Sequence, residues 1–191
     1  QCVGSRDRRW NPWCSSICCM ISLKNAMLIK SAYPDTDVTI CYIDIRTTGR
    51  EHEYYYEKAR EMGIKFVKGR PTEISHDPDG NILIVDVEDA ILRRFFELEA
   101  DLVVLATAMV PTEGTKELAE MLGIELDQDG FFKEYNAKLR PTETKRRGIF
   151  LCGGATFPKD APTSSLHAHS AAMKTIKFLN AGKIVKDQRT A

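Results

Sequence analysis

The feature of this sequence that most constrains its fold is the crowding of cysteines at its start. Four of the six cysteines lie within the first 19 residues, at Cys2, Cys14, Cys18 and Cys19. A chain of 191 residues can bury a sizeable core without disulfide staples, and its first residues lack the basic-then-apolar pattern of a secretion signal. In such a chain, clustered cysteines more often bind metal or act in catalysis than form structural disulfides.

Several chemistries are open to these cysteines. An iron–sulfur cluster needs four thiolates, which two short segments supply here. Zinc also accepts four thiolates, but its usual sites are built from two separate Cys-x2-4-Cys knuckles, so iron is favoured over zinc. The adjacent Cys18 and Cys19 could instead form a redox disulfide. Some of the thiols could also be small core residues.

A helix is predicted to begin within the cysteine segment, with Ser15 and Ser16 as its capping residues, and to run to about residue 33. Apolar side chains repeat at helical spacing through Leu23 and Met27. Cys18 and Cys19 then fall in the first turn, where unpaired backbone N–H groups and the positive end of the helix dipole face outward. An anionic thiolate-bound cluster suits that position.

Composition excludes several classes of function. The chain carries 27 Lys and Arg against 27 Asp and Glu, so its formal net charge is zero. A nucleic-acid-binding chain would normally be basic, and no apolar run approaches the roughly 18 residues of a membrane span. We therefore predict a cytoplasmic protein with no nucleic-acid partner and no membrane span.

The order of predicted elements indicates an α/β fold. A strand over residues 38–44 follows the first helix and completes a βαβ unit of a parallel sheet. Gly4 stands where a dinucleotide-binding fold keeps G-x-G-x-x-G, but it is a single glycine. Further strands are predicted at residues 64–69, then a β-meander over 71–75, 82–87 and 95–99, and a central buried strand over 101–107.

The last third of the chain contains a second candidate site. Residues 148–155 are predicted to form a strand and then a tight turn at Gly153 and Gly154, followed by a helix near 165–179. Glycines before a helix let a backbone approach a ligand, although such a turn is as often only tight packing. Cys41 and Cys152 are predicted to be small buried residues of strands.

Motifs along nearly the whole chain resemble the A subunit of heterodisulfide reductase. The N-terminal segment 1–7, Asn11 and the cysteine-containing segment 14–20 carry the first part of this resemblance. The rest lies at residues 42–46, 66–71, 129–132, 138–141, 148–150 and 158–162. The motifs follow one another in the family's order.

This resemblance implies a flavin- and iron–sulfur-containing electron-transfer subunit on a thioredoxin-reductase-like scaffold. It implies that Cys2, Cys14, Cys18 and Cys19 hold a [4Fe–4S] cluster where a reductase of this fold would bind NAD(P)H. It also implies that FAD is lined by Gly153, Gly154, Lys159, Asp160, Ala161 and Pro162. Lys159 is then expected nearest the isoalloxazine, where it would stabilise negative charge on the reduced ring.

The expected fold is a Rossmann-like, pyridine-nucleotide-type domain with a β-meander, followed by the C-terminal part of an FAD-binding domain. The first domain is predicted at residues 1–107, with the cluster, and the second at 108–191. The family's glycine-rich FAD fingerprint and ferredoxin-like cysteine motifs are absent from the sequence, and it does not begin with Met. We therefore expect the C-terminal part of a longer polypeptide, or a short subunit completed by another chain.

The predicted function is that of an oxidoreductase subunit. It would pass electrons between FAD and [4Fe–4S] clusters in a heterodisulfide-reductase-like complex, in some complexes by flavin-based bifurcation. Its expected partners are the rest of its own FAD domain and the other subunits of that complex, or of a hydrogenase or oxidoreductase complex. The alternatives are an NAD(P)H-dependent disulfide-reductase-type domain with a Cys18–Cys19 redox pair, and a structural zinc-binding scaffold.

Overall fold

The structure is a computed structural model, and it describes residues 1–181. The chain divides into two compact units, Gln1–Ala108 and Met109–Ala191. The mixture of parallel and antiparallel sheets with helices confirms the predicted α/β class. No helix within residues 1–181 is long and apolar enough to cross a bilayer.

The first unit is built around parallel strands. Strand β1 (Thr39–Tyr42) pairs in parallel with β2 (Lys65–Lys68). Residues 1–3 lie beside β1, because the Gln1 nitrogen donates to the Cys41 carbonyl oxygen at 2.7 Å. On their other side, Val3 N donates to Ala106 O at 3.1 Å, and Ala108 N donates to Val3 O at 2.8 Å. Residues 1–3 are therefore bonded to β1 through Gln1 and form a parallel bridge to Thr107 through Val3.

Two helices cover this arrangement. Helix α1 spans Cys18–Ala32 and α2 spans His52–Glu61. Leu23, Ala26 and Met27 recur at helical spacing on α1 and are all buried, as the apolar periodicity predicts. They form one hydrophobic core with three further residues, Ile40, Ala59 and Ile64.

The predicted β-meander is present in the same unit. Strands β3 (Pro71–Asp77), β4 (Ile82–Asp89) and β5 (Arg94–Ala100) pair antiparallel in sequence order. Gly69 joins the parallel strands to the meander, and a Cβ atom there would overlap the carbonyl oxygen of Glu88. Only a residue without a side chain fits this junction.

The predicted buried strand over residues 101–107 is wrong. Only Thr107 makes a β-bridge, with Val3, and the residues before it form no strand. Leu102 and Val104 are 75% and 74% exposed. An apolar run becomes a central strand only where backbone partners flank it along its length, and within residues 1–108 this run has a partner at its end alone.

Within residues 109–181, the second unit contains two α-helices and a small buried core. Helix α3 spans Thr115–Leu122, and α4 spans Ala161–Asn180. Ala119, Phe132 and Leu151 form the buried core of this unit. Glu143 ties residues 140–143 to α4, because its carboxylate pairs with Arg140 at 2.6 Å and with Lys174 at 3.1 Å.

Two expectations for this unit need correction. Residues 148–152 do not form a strand; Phe150 makes a single bridge to Glu143, and Cys152 is exposed rather than buried. Helix α4 begins four residues earlier than predicted, because Asp160 caps it and proline is tolerated in a first helical turn.

The core of the first unit provides a test of the fold. Replacing the fully buried Leu23 with Ala removes apolar contacts and leaves a cavity, so we expect a loss of about 2–5 kcal/mol in the free energy of unfolding. Leu28→Ala on the same helix is the matched control, because Leu28 is 58% exposed. Urea denaturation followed by circular dichroism measures both, and equal losses would contradict the described core.

Candidate metal centre and flavin-binding segment

A closed loop brings the two ends of the cysteine segment together. Arg6 N donates to Trp13 O at 2.8 Å, and Asp7 N donates to Asn11 O at 3.1 Å. The Asn11 side chain also donates to the Gly4 carbonyl oxygen at 2.7 Å. These bonds close the residues between Cys2 and Cys14 into a loop whose two ends lie side by side.

The single glycine of this segment serves a tight turn. Ser5 N donates to Cys2 O at 3.2 Å, and Gly4 is the third residue of that turn, with φ +71°. A left-handed φ at this position favours glycine. A Cβ atom on Gly4 would lie 3.9 Å from Ala108 Cβ, an ordinary contact, so the turn conformation accounts for the glycine.

Cys18 and Cys19 are the first two residues of α1, but the predicted serine caps are wrong. The N-cap is Ile17, and no side chain caps the helix. Ser15 hydrogen-bonds the Cys18 thiol instead. Ser16 has a left-handed backbone, φ 61°, and its N–H donates to the Cys14 sulfur at 3.3 Å. Both serines therefore hydrogen-bond cysteine sulfurs, and neither caps the helix.

The sulfurs of Cys18 and Cys19 lie beside the backbone that follows β1 and beside Thr107, which bridges to Val3. Cys18 Sγ lies 3.9 Å from the carbonyl oxygen of Thr107. Cys19 Sγ lies 3.6 Å from the Asp44 carbonyl oxygen and 3.6 Å from Gln1 Oε1. Open α/β sheets bind their ligands at this edge, outside the carboxyl ends of the strands.

Burial raises the pKa of the Cys18 and Cys19 thiols, and the neighbouring thiols raise it further when ionised. Ionised Cys2 and Cys14 both raise the pKa of each of these two thiols, so the four cysteines lie close enough to interact electrostatically. Hydrogen bonds oppose this effect: Ser15 lowers the pKa of Cys18, and the backbone of Arg46 lowers that of Cys19. These bonds favour the thiolate form, which binds metal.

Ion pairs hold the surrounding backbone. Arg6 pairs with Asp44 at 2.7 Å, which links the cysteine loop to the segment after β1. The hydrogen bond to Asp44 raises the pKa of Arg6, and the thiols of Cys2 and Cys14 add to this when ionised. Asp7 pairs with Arg9 at 3.0 Å and Arg70 at 3.3 Å. Its hydrogen bonds to Arg9 hold the pKa of Asp7 well below its usual value.

Two buried polar atoms in this region have no hydrogen-bond partner. They are Oγ of Ser5, a residue only 1% exposed, and Nε2 of Gln1. Both can donate, and the inorganic sulfides and thiolates of an iron–sulfur cluster are acceptors. The donor chemistry here therefore fits such a cluster.

Within residues 1–181, no three His, Cys, Asp or Glu side chains form a group that could hold a metal ion. Ligation by Cys2, Cys14, Cys18 and Cys19 accordingly stays a prediction. Sequence reasoning missed the contributions of Gln1, Asp44 and Thr107 to their surroundings. Gln1 and Asp44 lie within the motifs that carry the family resemblance, whereas Thr107 had no signal beyond the end of an apolar run.

The predicted flavin-binding residues lie together before and at the start of α4. Gly153 begins a 3-10 turn, Gly153–Ala155, with φ +59°. Phe132 N donates to Ala155 O at 3.0 Å, and Pro158 is fully buried, so the turn is anchored on both sides. Gly154 is exposed, and a Cβ atom there would meet only Met109, at 3.9 Å.

Lys159 is held by its own loop. Its Nζ donates to Thr156 Oγ1 at 2.6 Å and to the Phe157 carbonyl oxygen at 3.3 Å. Burial lowers the pKa of Lys159, and the negative charge of Glu134 partly opposes this. The amine is therefore fixed in a half-buried position.

Asp160, Ala161 and Pro162 form the start of α4. The Asp160 carboxylate accepts a hydrogen bond from Thr163 N at 2.8 Å and so caps the helix. Ala161 and Pro162 are its first two residues. The positive end of the helix dipole faces this segment, which suits an anionic group of a cofactor. A direct role of these residues in flavin binding stays a prediction.

The fold of this chain is similar to that of a thioredoxin reductase. The crystal structure of T. acidophilum thioredoxin reductase is similar over 86% of this chain and 49% of that one, with a TM-score of 0.60. Sequence identity is 16%, so this likeness concerns the fold alone. It confirms the thioredoxin-reductase-like scaffold that the sequence motifs imply.

Sequence comparison finds similarity to A subunits of heterodisulfide reductase. The A subunit of ferredoxin:CoB-CoM heterodisulfide reductase from Methanosarcina acetivorans is 45% identical over 100% of this chain. The iron-sulfur A subunit of CoB–CoM heterodisulfide reductase from Methanocaldococcus jannaschii is 51% identical over 90% of it. A protein of Archaeoglobus profundus, named for its likeness to the A subunit of heterodisulfide reductase, is 46% identical over 96%. No family model matches.

The chain is therefore similar to a portion of heterodisulfide reductase A subunits, which confirms the resemblance that its motifs predict. It spans only about a quarter of the length of these relatives, 24% of the Methanosarcina protein and 26% of the other two. Its similarity concerns that portion of the relatives.

The burial of the thiols predicts their order of reaction in metal-free protein. A thiolate displaces iodide from iodoacetamide, so the exposed Cys152 should react at least about tenfold faster than Cys19, which is 7% exposed and has a raised pKa. Mass spectrometry of peptides after timed alkylation measures both rates, and urea-unfolded protein is the control in which they should converge. Equal rates in folded protein would contradict the described burial.

Proposed function

We propose that this chain is an electron-transfer segment of a heterodisulfide-reductase-type oxidoreductase complex. In this proposal, Cys2, Cys14, Cys18 and Cys19 hold a [4Fe–4S] cluster in the first unit. Residues 153–162 contribute to an FAD site in the second. When bound, the cluster supplies one-electron transfer and the flavin couples it to two-electron chemistry.

One observation carries the iron–sulfur part of the proposal: three sulfurs of a single neighbourhood each receive a hydrogen bond suited to a thiolate. The donors are Ser16 N on Cys14, Ser15 on Cys18 and the Arg46 backbone on Cys19. Structural thiols in a core need no such donors. Hydrogen bonds to ligand sulfurs instead set the potential of a cluster.

The position of the four cysteines supports the same proposal. They lie around the turn that follows residues 1–3 and at the start of α1. A dinucleotide-binding fold binds the pyrophosphate of its cofactor at this place. Only Gly4 is present in that turn, and its φ of +71° serves the turn itself. With the four cysteines as ligands, the positive end of α1 would stabilise the negative charge of a thiolate-bound cluster rather than that of a phosphate.

In the flavin part of the proposal, this chain's residues position and stabilise rather than react. The buried Thr156 and the Phe157 carbonyl hold the Lys159 ammonium, which would face developing negative charge on a reduced flavin ring. Asp160 fixes the start of α4. We also propose a cytoplasmic location, flavin-based bifurcation, and the other subunits of such a complex as partners. The names of the relatives, which are subunits of heterodisulfide reductases, support the proposed partners.

Replacing one ligand tests the cluster. In the intact protein, purified anaerobically, Cys19→Ala should remove about four iron and four sulfide per chain relative to the parent, together with the matching EPR signal of the reduced protein. Cys41→Ala is the control, because Cys41 is also partly buried, lies in the same unit and belongs to no predicted ligand set.

Far-UV circular dichroism should be the same for the parent and both variants, since neither change removes a backbone element. Unchanged iron content in Cys19→Ala would remove Cys19 from the ligand set. Zinc in place of iron in the parent would contradict the cluster altogether and would favour the structural scaffold.

Replacing Lys159 tests the flavin part separately. In the intact protein, Lys159→Met removes the ammonium charge and should lower the flavin midpoint potential, because the anionic reduced ring loses its counter-charge. Lys159→Arg keeps the charge and is the matched control. Spectroelectrochemical titration measures both variants. An unchanged flavin potential in Lys159→Met would contradict the placement of Lys159 next to the ring.

A further inference from the structure

The side chain of Gln1 contacts Cys19 of the candidate metal centre. Its backbone nitrogen is bound to the Cys41 carbonyl oxygen at 2.7 Å, which fixes the residue beside β1. Its Oε1 lies 3.6 Å from Cys19 Sγ. The amide nitrogen Nε2 is buried and has no hydrogen-bond partner. One end of this amide therefore faces a sulfur, and the other is an unused donor.

This arrangement suits a protonated Cys19 but not a metal-bound one. As a thiol, Cys19 has one proton to share between Gln1 Oε1 and the Asp44 carbonyl oxygen, each at 3.6 Å. As a metal-bound thiolate it has none, and two oxygen acceptors would then face an anion. The Asp44 carbonyl belongs to the backbone, whereas the Gln1 amide can turn about its last side-chain bond.

A half-turn of that amide resolves the conflict. Exchanging Oε1 for Nε2 places an N–H donor on the Cys19 sulfur, at the position that the oxygen now occupies. The two amide ends have nearly the same shape, so the exchange needs no repacking. Nε2 would gain the partner that it lacks, and the sulfur would receive a second hydrogen bond besides that from the Arg46 backbone.

We propose that Gln1 is a positioning residue of the metal centre, and that its side-chain amide donates a hydrogen bond to the Cys19 sulfur when Cys19 is a ligand. This inference rests on the proposed iron–sulfur function. A donor on a ligand sulfur stabilises the more negative, reduced cluster and so raises its midpoint potential.

The first test compares midpoint potentials in the intact protein. Gln1→Leu keeps most of the side-chain volume and removes the donor. The ratio of oxidised to reduced cluster at a fixed potential should rise about tenfold, which for a one-electron couple is a shift of about 59 mV to lower potential. Gln128→Leu is the matched control and should leave the potential unchanged, because Gln128 is exposed in the other unit.

The second test leaves the protein unaltered and so does not depend on how the variant folds. Glutamine labelled with 15N in its side-chain amide is incorporated, and the reduced cluster is examined by pulsed EPR. A 15N coupling is expected in the parent and in Gln128→Leu, which retains Gln1.

The outcomes separate this inference from the function on which it rests. Unchanged iron content with an unchanged potential in Gln1→Leu would overturn the role of Gln1 and leave the cluster in place. If Gln1→Leu loses its cluster, the labelled parent decides: a coupling supports the inference and its absence overturns it. A parent without iron would contradict the proposed function, and this inference with it.

Discussion

The architecture of the candidate metal centre depends on the hydrogen bonds that close the loop between Cys2 and Cys14. The bond from Arg6 N to Trp13 O, at 2.8 Å, and the Asn11 bond to Gly4 O, at 2.7 Å, return the chain to its starting point. Without them, a segment of this length would separate the first cysteine from the others. Gln1 is bonded to β1, and Cys2 is the next residue. The loop therefore also fixes the position of the cysteines relative to the sheet.

The sheet and the helix then determine what the site can bind. The carboxyl ends of parallel strands and the start of α1 meet at one edge, where the peptide dipoles favour negative charge. Dinucleotide-binding folds place a pyrophosphate there. In this chain, thiols occupy the position and N–H and O–H donors surround them, so the same electrostatic arrangement would suit the thiolate-bound cluster that we propose.

Much of the fold could be predicted from local patterns. Helix α1 and the β-meander follow from periodicity and turn residues, and the structure confirms both. The run at 101–107 and the segment around Cys152 could not be predicted in this way. Their apolar composition suggests burial, but burial requires partners that only the tertiary structure supplies, and Leu102 is 75% exposed.

The candidate site was predictable in part. The cysteine spacing indicates a metal centre, and the family motifs indicate which residues surround it. The predicted capping roles of Ser15 and Ser16 are wrong. A serine before a helix usually accepts hydrogen bonds from the helix N–H groups, whereas here the Ser15 side chain and the Ser16 backbone N–H hydrogen-bond cysteine sulfurs. The Gln1 contact joins residue 1 to Cys19 at the start of α1, 18 residues along the chain, so no local pattern could reveal it.

The central claim is that the four N-terminal cysteines hold an iron–sulfur cluster. Its most direct test is anomalous X-ray diffraction from crystals of the anaerobically prepared intact protein, recorded at the iron and zinc absorption edges. We expect an iron peak among the sulfurs of Cys2, Cys14, Cys18 and Cys19. A peak at the zinc edge alone, or iron bound elsewhere with these four sulfurs unligated, would contradict it.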